Sequence, residues 1–201
     1  MSESFATSQT TRLIGSAGAL QLDQRSFAFR AGAVVLGTLF LALASRIEVP
    51  MVPVPVTMQT FAVAMIGALY GARLGTLTVL AWLGEAMIGL PVLAGGAGGL
   101  AHFAGPTGGY LAAFPVMALL VGLLAERGWN AERPFLAFTS MLAANALCLT
   151  MGGVWLAGLI GMEKAFMLGV APFVIGGILK SALGAASLVA LARTAKRGDA
   201  Q

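Results

Sequence analysis

Leu168 to Ala192 read LGVAPFVIGGILKSALGAASLVALA, twenty-five residues that carry a single charge, Lys180. A helix that crosses a bilayer needs about 17 to 25 mostly apolar residues, so this stretch is long enough to span and too apolar to face water on every side. Five further stretches share its character, at about 27–46, 56–72, 74–90, 109–125 and 134–152. Between them lie residues that end helices: Pro50, Pro53 and Pro55, then Gly71-Ala72-Arg73, the glycine-rich tract 94–109, Arg127 to Pro134, and Gly161 to Lys164. The expected fold class is an all-α integral membrane protein with six transmembrane helices. One domain is expected over 27–194, between a polar segment 1–26 and a basic tail 195–201.

Composition agrees with that expectation. Hydrophobic residues make up 58% of the chain and charged ones 10%, against about a quarter charged in soluble domains. A water-soluble fold of this length would have more apolar side chains than core positions. The early polar leader lacks the apolar core of a secretory signal, so the small-residue pattern Ala42-Leu43-Ala44 is read as helix rather than as a cleavage site.

The net charge of +4 and pI near 9.8 record orientation. With a cytoplasmic N-terminus, Arg12, Arg25, Arg30, Arg73, Arg127, Arg133, Arg193, Lys196 and Arg197 fall on the inner side, and only Arg46 and Lys164 on the outer. This is the positive-inside distribution, which places both termini in the cytoplasm and gives no reason to expect a nucleic-acid surface.

Lys180 is the residue most in need of explanation. It stands about 18 Å from either end of its segment at about 1.5 Å per residue, too far to snorkel readily to water. Gly176, Gly177 and Gly184 lie on the same helical face, leaving either close packing or room for a ligand. An ionisable residue at membrane depth is costly and points to function. Glu85, near the outer end of the third segment, could simply neutralise Lys180, or both charges could serve a site open to the outside.

Other polar groups are ambiguous in the same way. Thr57 fits an N-cap for the second segment, and Gln59 and Thr60 could bond a ligand or the helix end. Tyr110 and Asn145 could contact a ligand or join helices. Gly95-Gly96 and Gly105 to Gly109 invite a phosphate-loop reading, but no Lys-Ser/Thr follows and no strand precedes, so a folded outer loop that could act as a lid fits better.

The lone cysteine, Cys148, reads as a packing residue, and the lone histidine, His102, as a loop residue. Asp23 and Asp199, the only aspartates, lie in the terminal tails. These counts provide no disulfide framework, Cys/His metal site or protease constellation, and neither an enzyme nor a resident cofactor is expected.

Four motifs point to one family: Val54-Pro55-Val56-Thr57-Met58-Gln59-Thr60, Gly71-Ala72-Arg73-Leu74-Gly75, Gly89-Leu90-Pro91-Val92-Leu93-Ala94-Gly95-Gly96, and Gly105-Pro106-Thr107-Gly108-Gly109-Tyr110. In order and spacing they resemble the signature of the BioY family, the substrate-binding S components of energy-coupling-factor biotin transporters. The resemblance extends from the first segment to the sixth. It implies high-affinity capture of biotin at the outer side of a prokaryotic cytoplasmic membrane, with a transmembrane coupling protein and ABC-type ATPases as partners. Some members are reported to act without a dedicated energising module. Ala28, Gly32, Ala33 and Gly37 form small-xxx-small pairs that could dock a partner helix or serve internal packing.

The sixth segment departs from the family pattern Pro-Phe-x-Pro-Gly-Asp-x-x-Lys, because Ile175 and Gly177 stand where the second proline and the aspartate are found. The resemblance implies that this aspartate contacts biotin, and Glu85 is the acid expected to compensate, accepting ureido N–H groups while Lys180 donates to biotin. Trp82, Tyr110 and Phe173 are expected to hold the thioether ring and valeryl chain. Arg46, Lys180 or loop N–H groups could meet the carboxylate. Two other readings remain open: an S component for another vitamin, and a stand-alone carrier or channel.

Overall fold

A computed structural model describes residues 26–198. The segment 1–25, with Arg12, Asp23 and Arg25, and residues 199–201, with Asp199, lie outside the described residues. The chain is mostly helical. α1 spans Phe27–Arg46, α2 Gln59–Met87, α3 Ala101–Ala104, α4 Gly108–Glu126, α5 Pro134–Ile160, α6 Met162–Ala165 and α7 Ala171–Gly198. A two-residue ladder pairs β1 (Glu48–Val49) with β2 (Val56–Thr57) antiparallel, Glu48 opposite Thr57, and closes the proline-rich loop between them.

Five continuous helical stretches are long and apolar enough to cross a bilayer: Phe27–Arg46, Gln59–Met87, Gly108–Glu126, Pro134–Ile160 and Met162–Ala195. Their outward faces are apolar, with Leu36, Leu43, Val154, Ile175 and Leu179 each 63 to 70% exposed. Large side chains at that exposure in several helices form the contiguous apolar surface that lipid covers and water does not tolerate.

The second stretch is not straight. At Gly71 the backbone takes φ 79 and ψ 177, a conformation open essentially only to glycine. The chain reverses there, so a Cβ on Gly75 would meet Ile66 and Gly67, residues that a straight helix would hold two turns away. The Glu126 carboxylate accepts from Ala72 N at 2.8 Å and so satisfies a backbone donor at the start of the second limb.

Small residues draw the helices together around this corner. Gly67 lies on the backbone of Ala118, Gly122 on Gly71 and Ala72, and Gly37 on Ile66, Tyr70 and Thr78. Of the small residues on the first helix, Ala33 and Gly37 are therefore internal. Ala28 is exposed, and Gly32 has open space where a Cβ would stand.

Three expectations about the segments change. The stretch expected at 56–72 begins as a strand. Pairing with Glu48 draws Thr57 into β2, so the cap residue of α2 is Met58, and the Thr57 hydroxyl instead accepts from Gln59 N at 3.2 Å. The segment expected to end at 152 runs to Ile160, because Gly152 and Gly153 do not stop the helix. They make room for the Tyr110 ring and Val170. The last segment begins at Met162, not 168, directly after Gly161 (φ 88). It passes through a π-helical turn, Phe166–Val170, just before Pro172. A proline in a helix clashes with the carbonyl four residues back and removes a donor, and the widened turn absorbs that defect.

Candidate functional site

At the end of the bundle opposite Gly71, the helices diverge around a cavity of ≈ 360 Å³, within the range of small-molecule sites. Its wall comes from Thr57 and the start of α2 and from α4, α5 and α7, and its roof from residues 53–55 and 93–107. Tyr110, Leu111, Phe114, Leu149 and Phe173 make the middle of the wall apolar. Tyr110 and Phe173 stack with centroids 6.4 Å apart, and Tyr110 Oη donates to Gly169 O at 2.7 Å, a carbonyl of the π turn. The sequence places an aromatic after two glycines for a packing reason: Gly108 and Gly109 let Trp155 close on α4, and Trp155 Nε1 donates to Gly105 O at 2.9 Å, pinning the roof.

The polar groups gather deep in the cavity. Lys180, half-buried on α7, donates from Nζ to Thr57 O at 2.9 Å. An ammonium has three donors, and no other partner occupies Lys180 among the described residues. Thr57 and Gln59 also line the cavity, but their side chains are engaged: Thr57 Oγ1 donates to Gln59 Oε1 at 3.1 Å, and Gln59 Nε2 donates to Ser45 Oγ at 3.0 Å. They tie α2 to α1 as well as facing the cavity.

Asn145 acts in two ways. Its amide nitrogen donates to Met141 O at 3.0 Å and to Ser181 Oγ at 3.1 Å, and Ser181 donates onward to Gly177 O at 2.7 Å. The Met141 carbonyl can only accept, so the amide nitrogen faces it, which turns Oδ1 the other way. That oxygen accepts no hydrogen bond among the described residues. Opposite it stands Gly177, where a Cβ would lie 3.9 Å from Oδ1, and Lys180 follows Gly177 by one turn on the same face. An ammonium donor on α7 and an amide acceptor on α5 therefore line the same cavity.

Two further cavity residues stand out: Thr60, an ambiguous candidate from sequence, and His102, which was not a candidate. Thr60 Oγ1 is a buried hydroxyl with no partner among the described residues, a group that costs free energy until something bonds to it. His102, read as a loop residue, lines the roof. A lone histidine in a glycine-rich loop carries no sequence pattern, and the fold of 93–107 brings it inward.

Five expected site residues stand apart from the lining. Trp82 is fully buried behind it, stacked on Phe114 at 5.9 Å with Nε1 donating to Val92 O at 3.2 Å. Gly95 and Gly96 lie in a 3-10 turn, Ala94–Gly96, against the side chains of Glu48 and Arg46, while Ala94 reaches the cavity. Arg46 donates to Pro91 O at 2.8 Å, an anchor for the roof. Glu85 is absent from the lining and makes no ion pair with Lys180 among the described residues. The neutralising pair is not formed, and the polar group facing Gly177 is Asn145.

The sequence profile of the BioY family matches residues 20–197. The chain belongs to the BioY family. It is 39% identical over 156 residues to the probable biotin transporter BioY of Pyrococcus horikoshii, covering 76% of this chain and 91% of that protein. It is 37% identical over 153 residues to the biotin transporter BioY of Rhizobium etli, covering 72% and 81%. Its fold is similar to the crystal structure of the S-component for biotin from an ECF-type ABC transporter, with a TM-score of 0.74 and 28% identity, covering 83% of this chain and 92% of that one. As a BioY protein with several apolar spans it is a multi-pass membrane protein of a transport family.

Proposed function

We infer that this chain captures biotin in the cavity and serves its uptake as the substrate-binding S component of an energy-coupling-factor transporter in a prokaryotic cytoplasmic membrane. The observation that carries the reading is that one cavity holds both the Lys180 ammonium, bonded to Thr57 O, and Asn145, whose amide nitrogen is taken by Met141 O and Ser181 Oγ so that its oxygen is left as an acceptor. A cyclic urea presents a carbonyl acceptor beside N–H donors, and this donor–acceptor pair is its complement. Thr60 Oγ1 supplies a further hydroxyl for the ureido group, and Thr57 and Gln59 border it. Tyr110 and Phe173 hold the thioether ring, with Trp82 supporting Phe114 from behind. Gly95 and Gly96 act through the roof rather than by touching the ligand.

Counting the limbs on either side of Gly71 as separate spans gives six transmembrane helices in one domain over 27–194. The end at Gly71 carries Arg30, Arg73, Arg127, Arg133 and Arg193 and the cavity end Arg46 and Lys164, so the cavity faces outward and both termini are cytoplasmic. The partners that the family resemblance implies, a transmembrane coupling protein and ABC-type ATPases, supply the energy in this reading. Titration of the purified protein with biotin, riboflavin and thiamine tests the reading. Saturable binding of biotin alone is expected, and preference for another vitamin would overturn it.

A further inference from the structure

Resting on the biotin reading, we infer that His102 receives the carboxylate of the ligand, so that the roof recognises one end of the molecule and the deep wall the other. The cavity lining contains no Asp or Glu, and its basic groups are Lys180 and His102. The two sit at different depths. Trp155 is level with the roof through its bond to Gly105 O, and Asn145 lies ten residues earlier on α5, about 15 Å deeper at 1.5 Å per residue. Tyr110, Leu149 and Phe173 fill the interval with apolar surface. The site is therefore elongated, polar at both ends and apolar between, matching a two-ring urea head, an aliphatic chain and a terminal carboxylate.

The deep end suits the urea on both its groups, whereas a carboxylate would gain Lys180 alone. The free oxygen of Asn145 is an acceptor, and a carboxylate placed there would set acceptor against acceptor. At the roof, the His102 side chain is half-buried and has no partner among the described residues. Its backbone is fixed, with the carbonyl accepting from Thr107 Oγ1 at 3.1 Å and the amide donating to Gly99 O at 3.3 Å. An imidazole N–H held in this way can donate to a carboxylate without reordering the loop.

The test compares biotin with its carboxamide, which differs only at that end. In titrations of the purified protein, the wild type binds biotin about tenfold more tightly than the amide, as one charge-assisted hydrogen bond supplies. His102→Ala erases the preference by weakening biotin and leaving the amide within about twofold. His102→Gln, which keeps a donor of similar reach, retains part of the preference. A ratio unchanged in His102→Ala would overturn the assignment, and an equal loss for both ligands would make His102 a packing residue of the roof. Binding of neither compound by the wild type would overturn the biotin reading and this assignment with it.

Discussion

At the Gly71 end of the bundle, Gly67 lies on the backbone of Ala118, Gly122 on Ala72, and Glu126 on the amide of Ala72. At the cavity end, Gly176 and Gly177 on α7 also lack side chains, yet a Cβ at either meets nothing closer than 3.7 Å. Glycine serves close packing in the first region, whereas at these two positions of α7 it keeps only ordinary contact distance from Lys180 and Asn145. The polar groups follow the same division. Glu126 is spent on the fold, whereas among the described residues nothing bonds to the Thr60 hydroxyl or to the Asn145 oxygen. A buried group left unsatisfied in a folded protein calls for an explanation, and a ligand that completes its bonding supplies one.

Substitutions can break or sharpen this contrast. The largest effect is expected from Gly71→Ala, which forces a residue with a Cβ into the φ 79, ψ 177 conformation and toward the Glu126 carboxylate. A loss of about 3 kcal/mol in stability should appear as a lowered melting temperature in detergent. Biotin affinity of the protein that remains folded should be unchanged, and a selective loss of affinity would mean that the corner shapes the site. Lys180→Ala should do the reverse. It removes a charged donor from the ligand, costs about 2 kcal/mol of binding, roughly 30-fold, and leaves the melting temperature of the free protein close to that of the wild type.

Thr60→Val separates the two regions most cleanly. Replacing an unpartnered hydroxyl by a methyl of the same shape should raise the stability of the free protein by about 1 kcal/mol while weakening biotin by about 1 kcal/mol, or fivefold. Unchanged affinity together with raised stability would leave the hydroxyl as an unused defect. The smallest effect belongs to Glu85→Gln. With Glu85 outside the lining, titration should find biotin affinity within about 0.3 kcal/mol of wild type, and a clear loss would return Glu85 to the site.

The spans were legible because length and apolarity suffice to recognise them, and Gly71-Ala72-Arg73 announced the corner between two of them. The ends of α5 and α7 were not. Gly152 and Gly153 look like terminators in sequence and become packing positions only when Tyr110 and Val170 are brought against them. In the site, Lys180, Asn145, Tyr110 and Phe173 could be singled out as polar or aromatic groups on apolar helices. Glu85 was drawn toward Lys180 because a buried charge calls for a partner, but helix direction decides which charges meet, and a backbone carbonyl, Thr57 O, took that role. His102 carried no pattern of its own, and Thr60 only the ambiguity of a polar residue at a helix start. The fold of the roof brings in the first, and only the absence of a neighbour distinguishes the second.

A structure of the protein with biotin bound tests the central claim most directly. The account predicts the ureido ring at the deep wall, its carbonyl within hydrogen-bond reach of Lys180 Nζ and an N–H facing Asn145 Oδ1, with the valeryl tail rising toward the roof. Biotin lying outside the cavity, or seated with its carboxylate on Lys180, would contradict it.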